Sequence, residues 1–196
     1  MADAFAIRAL TVPRVREVYA RRLTEDFPPD ERKPLPLIEK ALSRGKYACY
    51  GCFIGEKMAA YAFFSMLEKN VLVDYFSVDK SLRDHGLGSR FLQALIDGPL
   101  REQDCALLEV EDPDCAPDPD KRELCRRRLR FYLNNGLKDT GVRVTVYHVN
   151  YRILALPVGR VPLGEDALNT YLSIYRAMPP ERVYAEKMQI EGNVAT

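Results

Sequence analysis

The chain has 196 residues, 47% of them hydrophobic, which is enough to bury one substantial core. We therefore expect a single domain over residues 1–190 and a flexible tail at 191–196. Its charge is nearly balanced, with 29 Lys plus Arg against 28 Asp plus Glu, so no nucleic-acid partner is expected. No apolar stretch is long enough to cross a bilayer, and the acidic start lacks a signal-peptide pattern. We expect no membrane partner and a cytoplasmic protein.

The cysteines do not indicate a disulfide framework or a metal site. They are five in number and spread along the chain. Cys49 and Cys52 form a C-x-x-C motif, but with two histidines and no second cysteine pair a zinc site has little support. Residues three apart in a strand point to opposite faces, so both thiols are expected to pack as ordinary side chains. No metal is expected.

The first half of the chain predicts a strand, two helices and then three strands. Period-2 and period-3.6 patterns place the strand at 5–10 and the helices at 15–23 and 37–42. A proline-rich loop at 26–34 separates the helices. Apolar runs at 47–54, 58–66 and 71–78 are divided by short polar turns, which is typical of consecutive antiparallel strands.

The second half alternates helices and strands. A helix follows the glycines near residue 86, a strand is expected at 106–110, and a helix at 121–135 ends before Gly136. A strand pair at 142–147 and 151–156, a helix at 165–178 and a last strand at 182–190 complete the order. This order predicts an α/β (α+β) fold with a mixed sheet and helices on both faces.

The segment 82–91, Leu-Arg-Asp-His-Gly-Leu-Gly-Ser-Arg-Phe, joins a buried strand to an amphipathic helix. Its glycines permit unusual backbone angles and bring bare amides near a ligand, and the new helix adds unpaired N–H groups. An anion such as a pyrophosphate fits there. No Lys-Ser/Thr follows the glycines and no third glycine completes a dinucleotide fingerprint, so the two commoner phosphate loops are not matched.

The R-x-x-G-x-G turn, preceded by Asp74-Tyr75-Phe76-Ser77-Val78-Asp79, resembles the acetyl-CoA-binding motif of the GNAT superfamily of N-acetyltransferases. A second segment at 128–137, with Phe131, Tyr132 and Gly136, is similar to the F-Y-x-x-x-G-F segment of that superfamily. The resemblance covers roughly residues 5–156. It implies a mostly antiparallel, GNAT-like acyl-CoA N-acyltransferase fold and acetyl-CoA as co-substrate.

By this resemblance, two strands splay apart and the pantetheine arm lies between them. Backbone groups of Phe76, Ser77 and Val78 would bind the arm. The pyrophosphate would lie on the turn formed by Arg83, Asp84, His85, Gly86, Leu87, Gly88 and Ser89. Tyr132 corresponds to the superfamily's acid tyrosine, which protonates the leaving thiolate. Two positions depart from the family pattern: Cys125 replaces an asparagine and Leu137 replaces a phenylalanine.

Acyl transfer to an amine also needs a base, because an alkyl ammonium has a pKa of about 10.4 and is no nucleophile. Three carboxylates at strand ends are candidates. Asp74 lies two residues before Phe76 and is expected on the same strand face, and Glu109 and Glu111 share a face of the next strand. Glu111 is our first choice because its strand should end beside the cleft.

Arg128 lies four residues before Tyr132 and shares its helix face. It would reach the cofactor's phosphates or an acidic substrate, or else pair with a carboxylate. In this family the loop at 26–34 borders the acceptor site, so Phe27, Glu31 and Arg32 are expected to contact the acceptor.

We therefore expect an acetyl-CoA-dependent N-acetyltransferase that acts by direct attack in a ternary complex, with a small primary amine as acceptor. A peptide or protein N-acetyltransferase of the same fold stays open. So does a non-catalytic acyl-CoA-binding sensor, and the sequence does not exclude a homodimer.

Overall fold

A single mixed β-sheet forms the centre of the computed structural model, which describes residues 5–146, 148–178 and 188–189. Its strands in the described part are β1 Phe5–Ala9, β2 Tyr47–Ile54, β3 Lys57–Leu67, β4 Asn70–Val78, β5 Cys105–Glu111, β6 Lys138–Val146, β7 Val149–Gly159 and β8 Met188–Gln189. They lie in the order β1-β2-β3-β4-β5-β7-β6-β8. Neighbours are antiparallel except β4 and β5, which are parallel. The predicted mixed, mostly antiparallel fold is confirmed.

The C-terminal predictions are only partly covered. Of the strand predicted at 182–190, the described residues include Met188–Gln189, which pair with the end of β6 at Thr145 and Val146. The remainder of that strand and the tail predicted at 191–196 lie outside the described residues.

The helices of the described part are α1 Val12–Val18, α2 Thr24–Asp26, α3 Leu35–Ser43, α4 Leu87–Asp97, α5 Pro119–Asn134 and α6 Gly164–Ala177. A π-helical stretch, Tyr19–Leu23, makes α1 and α2 continuous. Helices α3 and α5 begin two residues earlier than predicted. Each has a proline in its first turn, where no N–H is needed for the helix and the fixed φ of proline is already helical.

Two apolar cores lie on opposite faces of the sheet. Helices α1, α3 and α6 cover one face, and α4 covers the other together with part of α5. Cys49 belongs to the first core and Cys52 to the second, so the predicted packing of the two thiols on opposite faces is confirmed.

None of the helices in the described ranges combines the length and apolar character needed to cross a membrane.

Candidate active site

Strands β4 and β5 diverge halfway along their length. They pair from Asn70 and Cys105 as far as Val73 and Leu108. Beyond that point β4 continues only with β3, and β5 only with β7. The facing edges at 74–78 and 109–111 thus lack a strand partner among the described residues. Such an edge presents donors and acceptors in the rhythm that an extended ligand can bind.

A β-bulge marks the start of this divergence. The pairing of β3 with β4 passes from Phe64 and Val73 to Phe63 and Tyr75, which leaves Asp74 as an extra residue. A bulge bends its strand and increases the local twist, so it directs the end of β4 away from β5. It also breaks the alternation of side chains between the two faces of the sheet.

The expected orientation of Asp74 is consequently wrong. Phe76 packs against the α4 side of the sheet, where its ring stacks on Phe91. Asp74 instead bonds groups of the opposite side: Nζ of Lys33 lies 2.7 Å from Oδ1, and the Ser65 hydroxyl donates to Oδ2 at 2.7 Å. The side chain of Asp74 is 1% exposed and both its oxygens are engaged, so the geometry does not favour Asp74 as the base.

The glycine turn has the geometry expected of an anion site. Gly86 has φ +73 in the left-handed region and precedes the first residue of α4. An added Cβ would meet nothing within 4 Å, so the space above it is open. Among the described residues, the backbone N–H groups of 83–89 donate no hydrogen bond. These amides and the dipole of the 11-residue helix favour a negative charge.

The second glycine of the turn has a different task. A Cβ on Gly88 would lie 3.2 Å from the Phe131 ring, so this glycine lets α4 approach α5 closely. Side chains fasten the turn on both sides: Arg83 donates from Nε to the Val78 carbonyl at 3.0 Å, and Nη2 of Arg127 lies 2.5 Å from Oδ1 of Asp84.

Tyr132 lies on α5 beside the diverging end of β4. Its ring contacts Phe76 edge-on with the centroids 6.2 Å apart. Its hydroxyl makes no hydrogen bond to any residue that the structure describes. Burial raises the pKa of Tyr132 to about 12, against a smaller lowering by nearby Arg128. The phenol therefore stays protonated at neutral pH, as an acid requires.

Glu111 and Arg128 bind each other. Arg128 donates from Nη1 to Oε2 of Glu111, and Nζ of Lys121 lies 2.5 Å from Oε1. Of the alternatives for Arg128, the structure shows the carboxylate pair. Our first choice of base thus has both oxygens in ion pairs, and a proton-bearing substrate would have to displace a cation to reach it.

The loop at 26–34 covers the end of β4. The Tyr75 hydroxyl accepts from the Lys33 N–H at 2.6 Å and donates to the Glu31 carbonyl at 3.2 Å. The ring of Phe27 contacts the Tyr75 ring edge-on, with the centroids 4.9 Å apart. Arg32 is partly buried. At the start of the loop, Asp26 accepts from the Ser77 hydroxyl at 2.8 Å. The loop is thereby tied to the strand that forms one wall of the cleft.

Glu31 has a strongly perturbed carboxyl group. Its pKa is raised to about 7, first by burial and then by the negative charge of Glu111, with Glu109 adding a smaller effect. Lys121 and Arg128 oppose this rise. Glu31 therefore lies near the glutamates of β5. The sequence predicted Glu31 only as a contact of the acceptor.

Sequence reasoning missed the environment of Glu109. The hydroxyls of Tyr171 and Tyr175 on α6 each donate to its Oε1 at 2.5 Å. Burial raises the pKa of Glu109, while Lys33 and these two hydrogen bonds lower it. The signal that points to this arrangement is the spacing of the tyrosines, four residues apart on one helix face.

No cluster of three or more His, Cys, Asp or Glu side chains suited to a metal ion occurs in the described ranges.

Comparison with known proteins agrees with this geometry. The model of the acetyltransferase (GNAT) family matches residues 13–116, just over half of the chain. A search of curated proteins found no match.

Solved structures share the fold at low identity. A GNAT-family protein from Bacteroides thetaiotaomicron superposes with a TM-score of 0.68 at 20% identity, covering 91% of this chain and 98% of that one. The ribosomal-protein-S18-alanine N-acetyltransferase from Escherichia coli gives 0.55 at 20% identity, covering 81% and 96%. An acetyltransferase from Bacillus subtilis in complex with CoA gives 0.52 at 13% identity, covering 78% and 98%.

Proposed function

Because this chain belongs to the GNAT acetyltransferase family, we propose that it transfers the acetyl group of acetyl-CoA to a primary amine by direct attack in a ternary complex. We further propose a small molecule as the acceptor. The observation that carries the proposal is the pair of unpartnered edges of β4 and β5, which open directly beside the free amides of the glycine turn.

The residues present fit acetyl-CoA. The edge of β4 at Phe76, Ser77 and Val78 offers backbone groups to the amide-containing pantetheine arm, as an added strand would use them. The amides of 83–89 offer donors to the pyrophosphate, with open space above Gly86. A structural neighbour of the same fold was solved with CoA, which supports this choice.

Acetyl-CoA supplies the acetyl group as a thioester. The chain's own residues have three tasks: to remove a proton from the acceptor ammonium, to stabilise the oxyanion and to protonate the thiolate. Backbone N–H groups at the diverging end of β4 are suited to the oxyanion. Tyr132 holds its proton at neutral pH and is suited to the thiolate. It lies beyond the range of the family match, so its role rests on its motif and its position.

The test is calorimetric binding of acetyl-CoA to the wild type and to Gly86→Val. A Cβ at residue 86 would enter the open space that we assign to the pyrophosphate, and binding should weaken at least tenfold. Gly45→Val is the matched control, since Gly45 has φ +66 and equally open surroundings at the end of α3. Both variants carry similar backbone strain, so only the first should lose affinity.

Release of free CoA with a panel of small amines then tests transfer. Unchanged affinity of Gly86→Val would refute the cofactor site. Binding without turnover of any small amine would instead support a protein acceptor or a non-catalytic sensor, which peptides with free amino termini distinguish.

A further inference from the structure

Glu109 lies at the point where the two strands part. It directly follows Leu108, the last residue of β5 that pairs with β4. Its Oε1 is held by the hydroxyls of Tyr171 and Tyr175, and its Oε2 makes no hydrogen bond within the described ranges. Glu109 is partly buried as a residue, and Oε2 is not one of the fully buried polar atoms that lack a partner in the described part of the chain. Glu109 is thus oriented by two neutral donors and keeps one oxygen for a ligand.

Glu31 lies on the loop that covers the end of β4. Its backbone carbonyl accepts from the Tyr75 hydroxyl at 3.2 Å, which fixes the loop backbone at this residue to β4. The charges of Glu109 and Glu111 raise the pKa of the Glu31 carboxyl group. After burial, the charges of all three glutamates raise the pKa of Tyr151. Glu31 and the two glutamates of β5 therefore lie close enough for their charges to interact.

The cations nearby are distributed unequally among these acids. Glu111 has Lys121 and Arg128 within ion-pair distance, and Asp74 has Lys33. Neither Glu31 nor Glu109 has an ion pair within 4 Å among the described residues. Lys33 acts on Glu109, and Lys121 and Arg128 act on Glu31, only from beyond that distance. Two partly buried carboxylates without a direct ion pair are costly to keep in a fold, and a bound ammonium offsets that cost.

We propose that Glu31 and Glu109 bind the acceptor as a cationic alkylamine, and that Glu109 removes its proton. The inference rests on the proposed acetyl transfer and names the substrate class and the base of that site. Tyr171 and Tyr175 are positioning residues, because they act through Glu109. Anionic amines are disfavoured by the same two carboxylates, and weakly basic aromatic amines lack the charge that the site binds.

All protons of the proposed transfer step are accounted for. The ammonium gives one proton to Oε2 of Glu109, which passes it to water. The freed nitrogen lone pair forms the C–N bond with the thioester carbonyl carbon and gives a tetrahedral oxyanion, which collapses with cleavage of the C–S bond. The second proton leaves the nitrogen for solvent while Tyr132 protonates the departing sulfur, and the phenol regains its proton from solvent. The products are the amide, CoA as free thiol and one proton.

The first experiment measures binding and turnover of propylamine and 1,4-diaminobutane, with aniline and β-alanine as uncharged and carboxylate-bearing probes. Glu31→Gln should raise KM for propylamine tenfold to hundredfold, with acetyl-CoA affinity unchanged. It should weaken calorimetric binding of 1,4-diaminobutane to the CoA complex by a similar factor. Glu25→Gln is the matched control, because Glu25 is an exposed carboxylate six residues earlier and should alter neither quantity.

The second experiment tests the base. Glu109→Gln should lower kcat by about a hundredfold or more while acetyl-CoA still binds. Tyr171→Phe removes a hydrogen bond that lowers the pKa of Glu109, so the acid limb of kcat/KM should move to higher pH. Tyr50→Phe, on the other face of the sheet, should leave the limb in place. The charged and titratable groups that act on Glu109 are Lys33, Asp74, Tyr151, Tyr171, Tyr175 and Glu31.

The outcomes separate this inference from the function it rests on. A wild type that neither binds acetyl-CoA nor acetylates any probe would refute both. A wild type that acetylates aniline as well as propylamine, or a Glu31→Gln variant with unchanged KM, would overturn the cationic site alone. An unmoved acid limb in Tyr171→Phe together with full kcat in Glu109→Gln would overturn the assignment of the base.

Discussion

Glu31 should make the fold less stable as the pH rises, and its removal should abolish that dependence. Its pKa rises from 4.5 to about 7 on folding, chiefly through burial. Between these values the folded state keeps a proton that the unfolded chain has released, so the free energy of unfolding falls as the pH increases through this window. The difference of about 2.5 pH units corresponds to about 3.4 kcal/mol, which partial exposure reduces to about 2 kcal/mol.

The measurement is urea unfolding of the wild type and of Glu31→Gln at pH 5 and pH 8. Glutamine cannot ionise, so the variant should gain about 2 kcal/mol relative to wild type at pH 8 compared with pH 5. Subtracting the stability difference at pH 5 from that at pH 8 removes the pH-independent effect of the glutamine side chain. Glu25→Gln supplies the control for a surface carboxylate. An equal stability difference at both pH values would refute the raised pKa and weaken the case for a buried, cation-free Glu31.

Three further predictions concern a glycine at a strand end, a buried ion pair and the proposed acid. Gly159→Ala should lower the free energy of unfolding by about 3 kcal/mol or more, because the added Cβ would lie 2.4 Å from a backbone oxygen at a residue with φ +52. Gly141→Ala is the comparison: this residue has φ +80 in open space, so the loss should be about 1 kcal/mol. Thermal unfolding measures both. Lys33→Ala should cost about 3–5 kcal/mol by leaving Asp74 buried without its cation, and a loss under 1 kcal/mol in urea unfolding would contradict the pair. Tyr132→Phe should lower kcat tenfold or more with acetyl-CoA affinity retained, and full activity at every pH would exclude Tyr132 as the acid.

Local patterns predicted the parts of the molecule that depend on neighbours in sequence. The three-strand meander, the glycine turn and the helices each follow from periodicity, turn residues and proline over short windows. An anion site could be predicted at the turn because its backbone angles and free amides are properties of those few residues alone. The starts of α3 and α5 were predicted two residues late, at helices that have a proline in the first turn.

The orientation of the acids could not be predicted in the same way. Asp74 turns to the other face because β3 and β4 pair with an extra residue, which is a property of two strands together. Glu109 acquires its tyrosine donors from α6, more than sixty residues later in the chain. Glu111 lies at the end of β5, but both its oxygens are in ion pairs with Lys121 and Arg128 of α5. These pairs join two elements, so the strand pattern alone does not predict them.

The bulge at Asp74 connects the two halves of the site. The extra residue turns β4 away from β5, which leaves without a partner in the described part the strand edge that we propose for the cofactor. The same residue then holds Lys33, whose backbone N–H binds Tyr75 and so fixes the loop that carries Glu31. A change that disturbs the bulge should therefore affect cofactor and acceptor binding together. Glu109 occupies the first position beyond the paired part of β5, so the end of this pairing adjoins the strand edge and the carboxylate that we propose for the cofactor and the acceptor.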